Sequence, residues 1–158
     1  MTVTEYQRGN YIISTDKTRL NLNLIHEFLS QRSYWAQGRS LATVQNSIEH
    51  SLCFGVYNDT QQVGFARVVT DYATFAWLCD VFILETHRGK NLGKWLIECV
   101  TAHPDLQGLF VLATRDAHEL YRRYGGFEDL SAPERWMARR MPGRTSSLDG
   151  SLSLNLIE

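Results

Sequence analysis

Arg88-Gly89-Lys90-Asn91-Leu92-Gly93-Lys94 lies between the apolar run 77–84 and a helix-patterned segment that begins at Leu92. Two glycines and three cations therefore stand where a strand hands over to a helix. A helix N-terminus already carries partial positive charge, and native helices favour Asp or Glu there. Arg88, Lys90 and Lys94 in that place ask for an external anion. Glycines let the backbone come close to a ligand, and the unpaired N–H groups of a first helical turn bind phosphate oxygens. The plainer alternative is a strand-to-helix turn whose charges are merely solvated.

Working outward, residues 75–84 are long, apolar and rich in aromatic and branched side chains, as a strand buried on both faces should be. After the loop, Leu92, Trp95, Leu96, Cys99 and Val100 recur at helical spacing, and Pro104 follows the last turn. Residues 109–113 form a short strand reached through that helical crossover, which predicts parallel pairing with 75–84. A short helix over 117–124 ends at Gly125-Gly126, and 135–141 reads as a last strand. Upstream, 11–14 suits a first strand. Leu24, Ile25, Phe28 and Leu29 mark a first helix, and Ser40 caps a second that carries Leu41, Val44 and Ile48. Residues 52–57 and 63–70 flank a polar loop and predict an antiparallel hairpin. The expected architecture is a single α/β (α+β) domain over 1–141 with a mixed, mostly antiparallel sheet flanked by helices. The tail 142–158 is Ser- and Gly-rich, then alternates Leu152, Leu154 and Leu156 with polar residues. That pattern suits either an added edge strand or a loosely held terminus, and the strand could equally be offered to a second copy, giving a homodimer.

A chain of 158 residues with 44% hydrophobic and 21% charged content is an ordinary globular domain, and its net charge of -1 gives no global footprint for nucleic acid or an anionic membrane. The polar first ten residues and the lack of a span-length apolar run predict a cytoplasmic protein with no membrane partner. Cys53, Cys79 and Cys99 sit apart in apolar stretches, and the five histidines show no ligand spacing, so no metal is expected.

Walker A chemistry fails here: three residues, not four, separate Gly89 from Gly93, and Trp95 stands where the magnesium-binding hydroxyl should be. The dinucleotide fingerprint needs three glycines at another spacing in an all-parallel setting. The segment instead resembles the acetyl-CoA loop of the GNAT N-acetyltransferase superfamily, with Arg88, Asn91 and Gly93 at the motif positions. Asn91 departs from the usual glycine, and Asn is the side chain that best tolerates a left-handed backbone. Downstream, Ala117, Leu120 and Tyr121 match the family's helix motif. Thr114 stands where Asn is common, and Gly125-Gly126-Phe127 is one glycine longer than the pattern.

The resemblance implies an acetyl-CoA-dependent N-acetyltransferase that acts on a small-molecule or peptide amine by direct attack in a ternary complex, without metal. A non-catalytic CoA-binding or interaction module on the same fold is the alternative. It further implies a splayed parallel strand pair whose gap holds pantetheine, with main-chain contacts from Phe82 and Ile83. The segment from Arg88 through Gly89, Lys90, Asn91, Leu92 and Gly93 to Lys94 would hold the pyrophosphate, and Thr114 and Ala117 would complete the cofactor site. Tyr121 would be the general acid: a thiolate with pKa about 8.5 leaves, and tyrosine keeps its proton to about 10. Asp80 is the leading candidate for general base, because a carboxylate inside an apolar strand must be hydrogen-bonded, paired or functional, with Glu85, His87 or water as alternatives. Tyr34, Trp35, Tyr72 and Phe75 are candidate walls of the acceptor pocket.

Overall fold

The computed structural model describes residues 2–139. Six strands form one sheet in chain order: β1 (Glu5–Arg8), β2 (Tyr11–Ser14), β3 (Leu52–Asn58), β4 (Gln61–Thr70), β5 (Phe75–Ile83) and β6 (Leu109–Leu112). Neighbours run antiparallel as far as β5, and β6 then pairs parallel with β5, from Phe75↔Leu109 to Leu78↔Leu112. The helix α3 (Leu92–Thr101) supplies the crossover that a parallel pair requires.

Side chains alternate across the sheet, so each strand feeds two cores. On one face α1 (Leu22–Glu27), its π-helical continuation Phe28–Arg32 and α2 (Leu41–Glu49) bring Ile25, Phe28, Leu29, Val44 and Ile48 against Cys53, Phe65 and Phe82. On the other, α3 and α4 (His118–Gly125) bury Leu92, Trp95, Leu96, Ile97, Leu120 and Tyr121 against Leu52, Phe54 and Ile83. Each such aliphatic side chain contributes roughly 1.5–3 kcal/mol by leaving water. The starts of α1 and α2 are fixed by side-chain caps: Asn21 Oδ1 accepts from the Leu24 amide at 3.0 Å and Ser40 Oγ from the Thr43 amide at 3.2 Å.

Two strands differ from expectation. β1 is an extra edge strand of polar, mostly exposed residues, so hydrophobic periodicity does not reveal it; its charges suit an unpaired edge. The last strand expected over 135–141 is absent as far as Arg139, because Pro133–Arg135 is a 3-10 turn and 136–139 stay irregular. Arg140, Met141 and the tail with Leu152, Leu154 and Leu156 lie outside the described residues.

β5 is also not a regular strand. Its register passes from Phe65↔Phe82 to Arg67↔Cys79, so Asp80 and Val81 together oppose Ala66. Asp80 takes a left-handed φ of 53°, which Asp accepts more readily than most side chains. The bulge falls where the parallel ladder has just ended.

The additional glycine is absorbed at the end of α4 by a division of labour. A Cβ on Gly125 would stand 2.7 Å from the Phe127 ring and 3.0 Å from Ile97 Cγ2 of α3, so the close approach of α4 to α3 needs glycine there. Gly126 caps the helix at φ 67°, its N–H donating to the Tyr121 carbonyl. Gly126→Ala is expected to cost about 1–2 kcal/mol through left-handed strain, and Gly125→Ala about 1–3 kcal/mol through overpacking. Calorimetric melting of both variants checks this; wild-type midpoints would refute it.

Candidate active site

β5 runs on for five residues after its last pair with β6, and the two strands part. A cavity of about 430 Å³ opens in the gap. Leu78, Cys79, Asp80 and Val81 form one wall, and Ala113 through Ala117 with Tyr121 form the other. Tyr34 and Trp35, delivered by the segment that follows the π-helical turn, close it from the α1 side. Ser33 braces that segment by donating to the Leu29 carbonyl at 2.6 Å and accepting from the Ala36 amide at 3.1 Å. Opposite, Thr114 Oγ1 accepts from the Ala117 amide at 3.1 Å and shapes the turn into α4.

Asp80 is the most tightly held polar group of the cavity. Its Oδ2 accepts from Arg67 Nε at 2.8 Å and Arg39 Nη1 at 2.9 Å, and its Oδ1 from Trp35 Nε1 at 3.1 Å. Its side chain is 1% exposed, against 12% for Arg67 and 23% for Arg39. Arg67 Nη1 also donates to Ser51 Oγ at 3.0 Å. Burial is the largest single influence on the Arg67 guanidinium and lowers its pKa, but the charge and hydrogen bond of Asp80, with smaller contributions from Cys79 and Cys53, together raise it overall. The carboxylate is thus the hub of an ion-paired cluster that joins β4, β5 and the segment between α1 and α2.

Tyr121 lies on the cavity wall, its ring edge-on to Phe127 at 5.9 Å. Burial, with smaller contributions from Tyr34, Cys79 and Asp116, pushes its phenol pKa well above the usual 10. It is therefore neutral and proton-bearing across the physiological range. Tyr124 is not part of this wall; its ring carries the Lys94 ammonium at 5.3 Å.

Past the bulge, β5 leads through a 3-10 turn at Glu85–His87 into the cationic loop. Gly89 has φ 76° and Asn91 φ 60°, so Asn91 occupies the left-handed position expected of it. Asn91 does not cap α3: its Oδ1 accepts from Lys94 Nζ at 2.9 Å, and the first turn of α3 has neither a side-chain cap nor an acidic residue. Among the described residues no side chain caps the first amides of α3, a geometry suited to an anion. A second cavity of about 180 Å³, lined by Ile83, His87, Arg88, Gly89, Asn91, Leu92, Gly93, Lys94 and Leu120, sits at this point. Its chemistry fits a pyrophosphate.

The loop has one partner that the sequence did not announce. Arg8 of β1 donates from Nη2 to the Asn91 carbonyl at 3.1 Å and the Lys90 carbonyl at 3.4 Å, and its guanidinium lies 4.6 Å above the Trp95 ring. Lys90 Nζ reaches Tyr11 Oη at 3.4 Å, and that hydroxyl is 3.1 Å from His87 Nδ1.

The structure sorts the expected residues. Tyr34, Trp35, Asp80, Thr114, Ala117 and Tyr121 meet around the large cavity, and Ile83 with residues 88–89 and 91–94 around the small one, with Lys90 beside it. Tyr72 and Phe75 do not join them: Phe75 begins β5 at the opposite end of the parallel ladder, and Tyr72 packs against the α3-side core. Phe82 also faces elsewhere. Leu84 donates to the Val63 carbonyl at 2.8 Å, and alternation then points the main chain of Phe82 at Phe65 of β4 and that of Ile83 into the gap. Val81, not Phe82, lines the cavity. Arg39, Arg67, Trp77 and Arg115 are lining residues the sequence reading missed. Arg67 had a signal: it is the lone charge in its strand run, as Asp80 is in the next.

Among the described residues no group of three or more His, Cys, Asp or Glu could hold a metal. Burial raises the thiol pKa of Cys53 and Cys79 to about 12 and of Cys99 to about 11. Less than about one thiol in a thousand is then thiolate at pH 8. The native protein is expected to react slowly with a disulfide reagent at pH 8 and to release three equivalents once unfolded; a fast native equivalent would contradict this.

A model of the GNAT acetyltransferase domain matches residues 49–128. The chain belongs to the GNAT acetyltransferase family. A solved structure from Xanthomonas campestris pv. campestris, assigned as an acetyltransferase of this family, is 52% identical, covers 87% of this chain and 97% of its own, and superposes with a TM-score of 0.81. A Gibberella zeae protein assigned as an acetyltransferase is 29% identical over 80% of this chain and 89% of its own length. A Clostridium acetobutylicum structure solved with acetyl-CoA shares the fold at 9% identity, covering 88% of this chain and 95% of its own with a TM-score of 0.57.

Proposed function

We propose that this protein transfers the acetyl group of acetyl-CoA to a primary amine of a small molecule or peptide, by direct attack with both substrates bound. The observation that carries this reading is the order of features along β5. The parallel ladder stops at Leu78, the large cavity opens at residues 78–81, and an uncapped, cation-rich helix start follows the strand's end. A long ligand with phosphates at one end fits that order, with its reacting end beside Tyr121.

Acetyl-CoA supplies an acyl group activated as a thioester. Arg88, Lys90 and Lys94 with the first amides of α3 bind its phosphates, and the main chain of Ile83 pairs along the gap. Tyr121 donates its proton to the departing sulfur. Asp80, first considered as the base, is committed to Arg39, Arg67 and Trp35, and its work is to hold these three around the acceptor. The acceptor's proton then passes to water. For a lysine-like amine, deprotonation at pH 7 adds about 4–5 kcal/mol, so the rate should rise with pH. The buried thiols, without an adjacent base, speak for direct attack over an acyl-cysteine.

Release of free CoA across a panel of primary amines tests the reading. Acetyl-CoA binding by calorimetry without CoA release from any amine would instead mark a non-catalytic binding module.

A further inference from the structure

The cavity has a charge imbalance that bears on the acceptor. Two of its guanidiniums, Arg39 and Arg67, share one buried carboxylate, Asp80, and Arg115 and Asp116 also stand on the wall. Asp116 is exposed and solvated, whereas the buried Asp80 stands between Arg39 and Arg67 at 2.9 and 2.8 Å. One carboxylate between two cations leaves a positive charge uncompensated on a largely buried and a partly buried guanidinium, which favours the arrival of a further anion. Arg67 is engaged by Asp80 and Ser51, but the Arg39 side chain gives only Nη1 to a described residue. The remaining N–H groups of Arg39 form a planar fork suited to a carboxylate or phosphate. Trp35, hydrogen-bonded to the same Asp80, and Tyr34, its ring stacked under the Arg115 guanidinium at 4.0 Å, add aromatic walls.

We infer that the acceptor amine carries its own anionic group, a carboxylate or a phosphate, which Arg39 binds while Asp80 and Arg67 hold Arg39 in place. This rests on the acetyl-transfer reading for the amine, and on charge alone for the anion. A polyamine or another multiply cationic acceptor would meet the same guanidiniums with like charge and is excluded.

The test compares matched acceptors with the full chain: L-phenylalanine against L-phenylalaninamide, O-phosphoethanolamine against ethanolamine, and spermidine. In at least one pair the anionic member is expected to have a kcat/KM at least about tenfold higher, the amount a charge-assisted hydrogen bond typically contributes. Arg39→Gln should collapse that ratio towards one, chiefly through KM. The favoured pair distinguishes carboxylate from phosphate. A second arm needs no turnover: the N-acetyl derivatives of the first four compounds are titrated by tryptophan fluorescence, which Trp35 and Trp77 supply at the cavity. The anionic derivative of the favoured type should bind at least about tenfold tighter than its neutral partner, and Arg39→Gln should remove the difference. Equal or better use of the neutral amines or spermidine, or a preference that survives Arg39→Gln, overturns the inference while leaving acetyl transfer standing. Selective anion binding that depends on Arg39, with no amine acetylated, supports an anion subsite at Arg39 but overturns both acetyl transfer and the assignment of that anion to an acceptor amine.

Discussion

Replacing Tyr121 with phenylalanine is expected to lower kcat by about a hundredfold or more, the usual contribution of a positioned general acid, with acetyl-CoA affinity and thermal midpoint close to wild type. The fold should tolerate the loss. The ring stays packed on Phe127, and no described residue hydrogen-bonds the hydroxyl. The pH profile sharpens the test. Burial raises the phenol pKa, so the acid form persists to higher pH than in water, and any alkaline fall in wild-type rate lies above about pH 10. The acid limb belongs to the acceptor amine and should remain in the variant. A variant with wild-type kcat would remove Tyr121 from the chemistry and leave the proton to solvent.

Asp80→Asn should be the most destabilising single change near the site. It keeps a side chain that accepts the left-handed backbone, so it isolates the loss of charge from backbone strain. Arg39 and Arg67 would then be left as partly and largely buried cations without a counter-ion, and breaking such a pair costs about 3–5 kcal/mol. In a domain of this size that corresponds to a fall of roughly 10 °C in Tm. The same variant separates the two roles considered for Asp80: a general base would lose rate with the melting temperature unchanged, whereas an anchor loses melting temperature first. An unchanged midpoint would show that the cluster is hydrated and worth little.

The parts of the fold that follow from local patterns could be read from the sequence. α3 has a clean 3.6-residue period, and Leu120 and Tyr121 sit on α4 with Ala117 at its N-cap, where the motif places them. Asn91 could be assigned its left-handed turn because few other side chains accept one. What escaped has a physical reason in each case. β1 is polar and exposed, so it carries no period-two signal. The bulge at Asp80 depends on the sign of one dihedral angle, which composition does not encode. That bulge interrupts the strand's alternation beside Val81, and facing cannot be assigned from residue type alone, so the sequence predicts Phe82 in the gap that Val81 and Ile83 line. Tyr72 and Phe75 are aromatic and near the site in sequence, but parallel pairing sends Phe75 to the far end of the sheet. The guanidinium cluster is assembled from β4 and the segment between α1 and α2, a convergence visible only in three dimensions.

Arg8 changes where the boundary of the proposed cofactor site should be drawn. The family match begins at residue 49, yet the carbonyls of Lys90 and Asn91 are held from β1, a hairpin strand that the matched segment does not contain. The cationic loop is therefore braced from a peripheral element. An N-terminal fusion or deletion that displaces β1 would act as a remote attenuator of CoA affinity, with every residue of the loop itself intact.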